Sequence, residues 1–240
     1  MWYCPIDERI DCPNHPLVRY HENPDYAYSE LGGCLMEFRL VYRGKLFAAR
    51  DSDNPDRLKQ MHDIRREMHK QLDELWKTNF LLKDLRDIRM GFKDDSVPSG
   101  TRVNTRLEEN AKMHESFGIR WAPLICNAYG LLCRMEILFL RPESKGGVVH
   151  SGGDLDNRIK TLFDALRIPS TKQLPDSLDA KNEPSPFFCL LEDDNRIIDF
   201  RVIADRLLEP CAPSEVQLVI KVQTILANTD RAYIEFGYGV

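Results

Sequence analysis

Apolar side chains recur along this chain in two spacings, every second residue or every three to four, and those spacings mark most of its elements. Leu35 to Tyr42 (LMEFRLVY) alternates well enough for a strand, closed by a turn at Arg43-Gly44-Lys45. From Asp56 to Asn79, Leu58, Met61, Ile64, Met68, Leu72, Leu75 and Trp76 repeat at helical spacing, which predicts the longest helix of the chain. The other face of that helix carries Arg57, Lys59, Arg65, Arg66, Lys70 and Lys77 among several acids. It reads as a solvated face, with contact to DNA or a partner as the other option. Leu81 to Met90 suggests one short helix. Arg86, Arg89, Lys93, Arg102 and Arg106 mark residues 80–116 as a locally basic region, and its polar part fits an arm over a nucleic acid as well as a loop.

Ala128 to Leu140 (AYGLLCRMEILFL) reads as a long buried strand ending at Arg141-Pro142. A Gly-rich loop containing Lys145 then leads into Gly152-Gly153-Asp154-Leu155-Asp156-Asn157-Arg158-Ile159-Lys160. Leu155, Ile159, Leu162, Phe163 and Leu166 form the inward stripe of a helix that Asp154 or Asp156 can cap. Ile168 to Pro186, rich in Pro, Ser, Asp and Lys, predicts a surface insertion. Phe187 to Leu191 is a short core strand that delivers Glu192-Asp193-Asp194 to its end. Arg196 to Ile203 and Val216 to Leu226 supply two more strands, and Tyr233 to Phe236 an edge strand or a dimer contact. The expectation is an α+β fold, a mixed β-sheet packed by helices. It divides into an N-terminal arm (1–34), a first strand with a helical extension (35–127) and a core (128–240), all within one compact domain.

Composition narrows the class. The chain has 240 residues, 42% of them hydrophobic and 30% charged, as in soluble globular proteins. No apolar run approaches the ~18 residues of a membrane span, and the N-terminus lacks a basic-then-apolar signal, so a cytoplasmic protein without membrane contact is expected. Seven scattered cysteines without a C-x-x-C pair predict reduced, mostly buried thiols. Cys4, Cys12, His15 and His21 match no common zinc spacing. Net charge is −5. Residues 1–150 carry 23 basic and 23 acidic side chains, whereas residues 151–240 carry 10 and 15, so the second half holds the whole excess.

That half also holds the candidate chemistry. Carboxylates are hard oxygen ligands suited to Mg²⁺ or Mn²⁺. Asp154, Asp156 and Asp194, with Asp193 beside them, are candidate ligands for one or two ions acting on a phosphate. Lys160, one helical turn after Asp156, is placed to neutralise the scissile phosphate or to protonate the leaving oxygen. An Asp-x-Asp pair also serves glycosyltransferases, but repeated βα units ahead of it are missing. No P-loop, G-x-S-x-G or H-E-x-x-H is present.

The joint pattern resembles the RusA family of Holliday junction resolvases. It comprises Asp154, Leu155, Asp156, Asn157, Lys160, Asp164, Ala165 and Leu166, then Asp193, Asp194, Ile198 and Asp199. The resemblance spans about residues 130–225. It implies a RusA-like endonuclease core carrying an N-terminal helical extension, a homodimer, Mg²⁺ dependence and cleavage of four-way DNA junctions by paired nicks. It also implies Asp154, Asp156 and Asp194 as essential aspartates, Lys160 as the catalytic lysine and Asp193 as a supporting group. The chain is longer than typical members, is acidic where they lean basic, and lacks their Pro-Pro-Ser-Asn stretch near Tyr42 to Ala49. The metal chemistry is therefore expected to carry over better than the junction specificity. Lys145, Arg158, Arg65 and Arg66 are the expected DNA contacts. A non-catalytic module binding DNA or a protein on the same fold, or a nuclease for RNA or foreign DNA, are the alternatives.

Overall fold

The computed structural model describes residues 18–19, 34–48, 55–87, 104–142, 155–212 and 215–227. The arm before residue 18, Lys145, the Gly152–Asp154 turn and the strand expected at 233–236 lie outside the described residues. Twelve elements follow in order. They are β1 (Val18–Arg19), β2 (Cys34–Lys45), α1 (Pro55–Thr78), α2 (Phe80–Asp87), α3 (Arg106–Met113), β3 (Glu115–Ser116), β4 (Ile119–Ile125), β5 (Leu131–Arg141), α4 (Leu155–Leu166), β6 (Phe187–Leu191), β7 (Ile197–Arg206) and β8 (Glu215–Leu226).

Two sheets result, and the fold is α+β with mixed sheets packed by helices. The larger sheet has the order β1-β2-β8-β5-β7, antiparallel except for the parallel β5–β7 pair. The smaller has the order β3-β4-β6, with β4 and β6 parallel. Alternation sets the faces of the larger sheet. Phe38 and Leu40 of β2, Ile137 and Phe139 of β5 and Leu218 and Ile220 of β8 are buried on one face. Their neighbours in sequence are half-buried or exposed. Because β2 pairs along its length with β8, residues 35–127 and 128–240 share one core.

The long helix is where periodicity misleads. Met61, Ile64, Met68, Leu72 and Trp76 are buried as the spacing requires, but so are Arg57, Gln60, His62 and Arg65 on the supposedly solvated side. The cause is a second layer of packing: α4 and β6 lie against α1 from that side. Arg65, 1% exposed, donates to the backbone carbonyls of Asp164 (2.8 Å) and Gln173 (3.0 Å). A buried guanidinium survives there because carbonyl oxygens replace its water.

The 168–186 segment runs over the surface but packs Ile168, Leu174, Leu178 and Ala180 against Ile119, Trp121, Phe187 and Cys189, and its most buried polar anchor is Glu183. Glu183 accepts from Arg66 (2.5 Å) and faces the Nε2 of His62 at 2.9 Å, and its side chain is almost wholly buried. Two elements escape the hydrophobic pattern. In α3 only Leu107 and Ala111 enter the hydrophobic core, and its start is fixed by a capping box in which Thr105 and Glu108 satisfy each other's backbone amides. In β4 (IRWAPLI), Pro123 interrupts a strand run; the short β3 pairs only with Ile119 and Arg120, so that side of Pro123 needs no ladder bond.

Candidate functional site

α4 is buried around most of its circumference. Arg158, Ile159, Thr161, Leu162, Asp164, Ala165 and Leu166 all face inward. What remains open is one stripe: Asp156 and Lys160 are exposed, and Phe163 and Arg167 are half-buried. These positions are four, three and four residues apart, hence one above another on a helix. The hydrophobic stripe of this helix thus leaves the candidate acid and the candidate lysine in solvent, on the same line. Asp154, one residue before α4, lies outside the described residues.

The acidic cluster meets the far end of this stripe. Arg167 continues the last turn through its amide to Phe163 (3.2 Å), and the next amide, Ile168, donates to Leu191 at the end of β6 (3.1 Å). That splice carries Glu192-Asp193-Asp194 beside Arg167, whose guanidinium lies 3.6 Å from Asp193. The three acids then do different work. Glu192 accepts from the Asn127 amide (2.6 Å), which ties β4 to β6. Asp193 caps the following turn by accepting from Asn195 (3.0 Å). That hydrogen bond, helped by Arg167 and Arg196, holds the Asp193 carboxyl below its ordinary range. Asp194 is exposed, yet its carboxyl is pushed up, first by desolvation and then by the Asp193 and Asp164 carboxylates beside it. Two adjacent carboxylates pulled in opposite directions are a pair that a cation or a proton would relieve.

The residues of the motif divide accordingly. Asp164 is structural: its carboxylate accepts from Arg57 (3.2 Å), Arg167 (3.1 Å) and Gln173 (2.8 Å), all at the α1–α4 contact. Ala165 and Leu166 are core. Asp156 and Lys160 share the open stripe, and Asp193 and Asp194 stand at its other end. Asp156 precedes Asp164 by eight residues, about 12 Å along the helix. Among the described residues no three His, Cys, Asp or Glu side chains converge as a metal site. The oxygen donors suit Mg²⁺ or Mn²⁺ in kind, but the structure sets Asp156 and Asp194 at opposite ends of α4 and does not bring them together; the carboxylate next to Asp156 in sequence is Asp154.

The expected DNA contacts need correction. Arg65 and Arg158 are buried, at 1% and 2% exposure, so neither presents a charge to a polyanion. Arg66 is half exposed but spends its guanidinium on Glu183 and lies 4.0 Å from Asp63. Lys145 lies outside the described residues. Sequence reasoning passed over Arg167, which joins the stripe to the acidic pair. It also passed over Phe200 of β7, which meets Phe163 edge-on at 5.3 Å. The signal for Phe200 was present: it alternates with Val202 and Ala204 as an apolar position of β7.

A cavity of about 670 Å³ opens between α1, α2, α3 and the Pro184–Phe188 segment. It mixes Lys77, Arg86 and Arg120 with Asp73, Asp87 and Glu108. Lys77 is bridged to Asp73, and Glu108 is taken up in the α3 cap. Arg120 is bridged to Glu115, and a lining with three charges of each sign concentrates neither a metal nor a phosphate, so the α4 stripe is the better candidate. Compared with known proteins, the chain matches no protein-family model, no curated protein and no solved structure.

Proposed function

We propose that this chain is a divalent-metal-dependent endonuclease, RusA-like in its chemistry, that hydrolyses phosphodiesters in branched or otherwise structured DNA. The observation that carries the reading is the open stripe of α4. It holds Asp156 and Lys160 in solvent on one line and ends at Arg167, beside the adjacent carboxylates Asp193 and Asp194. Asp154 and Asp156, at the start of α4, would hold a Mg²⁺ or Mn²⁺ ion, while Asp194, supported by Asp193, stands at the far end of the helix and would offer a separate carboxylate pair to a cation. The ion would supply charge stabilisation at the scissile phosphate and a lowered pKa for bound water. Lys160, exposed and one turn from Asp156, neutralises charge on the phosphate or gives a proton to the leaving oxygen. Paired cuts in a four-way junction require two such sites in a two-fold dimer, which we include in the proposal together with a cytoplasmic location.

The test is a cleavage panel of four-way junction, flap, duplex, single strand and RNA, each with Mg²⁺ and with EDTA. Metal-dependent cutting of branched DNA, lost in Asp156→Asn and Asp194→Asn proteins that melt like the parent, is the expected result. Preferential cutting of RNA would keep the chemistry and change the substrate. Cutting at the parental rate by either variant would overturn the site. A second reading, a non-catalytic binding module, draws on the use of Glu192 and Asp193 as local clamps. A module of that kind would show no thermal shift when Mg²⁺ or Mn²⁺ is titrated in.

A further inference from the structure

Beside the α4 stripe lies a small apolar patch that the core does not use. The β5–β7 register sets Phe200 opposite Met135 and Val202 opposite Ile137, so Phe200 stands on the core face of the sheet. Met135 and Ile137 are buried, but Phe200 is 51% exposed, and Ile198, the residue skipped where the β5–β7 register shifts, is 48% exposed. Phe163 touches Phe200 edge-on (5.3 Å, 87°) and sits one helical turn from Lys160 on the open stripe. A solvent-facing aromatic is therefore linked through Phe163 to the helix turn that carries the exposed Lys160, with Asp193 and Asp194 a few residues before it in the chain.

We infer that Phe200, braced by Phe163, stacks an unpaired nucleobase while Lys160 contacts the adjoining phosphate. This would make the site selective for single-stranded or branch-point nucleotides over continuous duplex. Aromatic stacking with a neighbouring cation is how proteins hold unpaired bases, whose flat faces a closed duplex does not present. A second copy of this chain fits the patch less well. The patch is a few side chains wide and lies against a helix stripe that carries Lys160 and Arg167 one turn to either side of Phe163, whereas the centres of protein interfaces are larger and depleted of charge. The inference rests on the nucleic-acid reading of the stripe, not on cleavage.

The test uses the full chain in EDTA, with 2-aminopurine placed in a single-stranded oligonucleotide, at the branch point of a four-way junction, and inside a duplex. The parent should change the probe's fluorescence in the first two and leave the duplex probe alone. Phe200→Ala should weaken binding of the unpaired substrates about tenfold, the scale of one lost stack, without changing duplex affinity. Phe200→Trp should retain binding, and its indole emission should fall on mixing. Unchanged affinity in Phe200→Ala overturns the inference. So does an equal loss on all three substrates, or a drop in solution mass showing that the patch joins two copies. Cleavage in Mg²⁺ by a protein indifferent to Phe200→Ala would sink the stacking alone. Phe200-dependent binding without cleavage would sink the nuclease reading alone.

Discussion

Asp156 and Asp164 stand eight residues apart in one motif, and their surroundings give them opposite duties. Asp164 is nearly buried and anchors three donors, Arg57, Arg167 and Gln173. Removing its charge strands the buried Arg57, and breaking a buried pair from one side costs about 3 kcal/mol. Asp164→Asn should therefore lower the midpoint of urea unfolding strongly, while Asp156→Asn, on an exposed turn, should shift it by less than ~0.5 kcal/mol. Equal effects in urea titration would contradict this division. Asp194 gives a third pattern. Its raised pKa means that the folded state holds its proton more readily than the unfolded chain, so the ionised group works against folding at neutral pH. In EDTA, Asp194→Asn should melt no lower than the parent and slightly higher if the pair is relieved. The same variant should lose any stabilisation that Mg²⁺ gives the parent, measured by thermal melts with and without the ion.

At the scale of elements, the clamp between α1 and the 168–186 segment sets a pH dependence. Burial lowers the pKa of His62, and burial likewise lowers that of His69, whose Nδ1 accepts from the Phe188 amide (2.9 Å). Both imidazoles are held neutral, so below about pH 6.5 the unfolded chain takes up protons that the folded one resists, and stability falls. Glu183 is lowered by Arg66 and His62 against an opposing desolvation, so its contribution is present above the ordinary carboxylate pKa and fades at still lower pH. Melting temperature should hold from pH 8 to 7 and decline below 6.5. His62→Gln, which keeps a donor for Glu183, should make the decline between 6.5 and 5 shallower, leaving His69's share. An unchanged slope would remove His62 from the account. This clamp also marks what the pattern of residues could not reveal. Strands such as Leu131–Arg141 and the core stripe of α1 are legible because burial on one face imposes a period. Arg57, His62, Arg65 and Glu183 look like surface residues in sequence, because what buries them is the docking of distant segments. The candidate site was half legible for the same reason. Asp156 and Lys160 announce themselves by spacing on one helix, but the Arg167–Asp193 contact exists only once β6 lies beside α4.

For the whole molecule, the question is how an acidic chain would hold a polyanion. Net charge is −5, with the excess in the half that contains the α4 stripe. Part of the basic complement is moreover withdrawn into the interior: Arg57, Arg65, Arg141 and Arg158 are all buried. Long-range steering toward DNA is therefore weak, and contact must come from a few exposed cations near the stripe, Lys160 foremost and Arg167 in part. Each phosphate neutralised by a cation contributes about −0.9 to the slope of log affinity against log salt. Two or three contacts give a slope of about −2 to −3, a 15- to 60-fold loss of affinity between roughly 50 and 200 mM salt. Fluorescence anisotropy with a four-way junction in EDTA across that range measures the slope directly, and Lys160→Ala should reduce it by about one. A slope steeper than about −5 would mean that a phosphate-binding surface lies elsewhere. Lys145 and the basic residues Arg89, Lys93 and Arg102 would then be the first places to substitute. A slope in the expected range, with binding that depends on unpaired bases, would mean that stacking and local charge carry recognition, which is how an acidic nuclease can select a branch point over the bulk of duplex DNA.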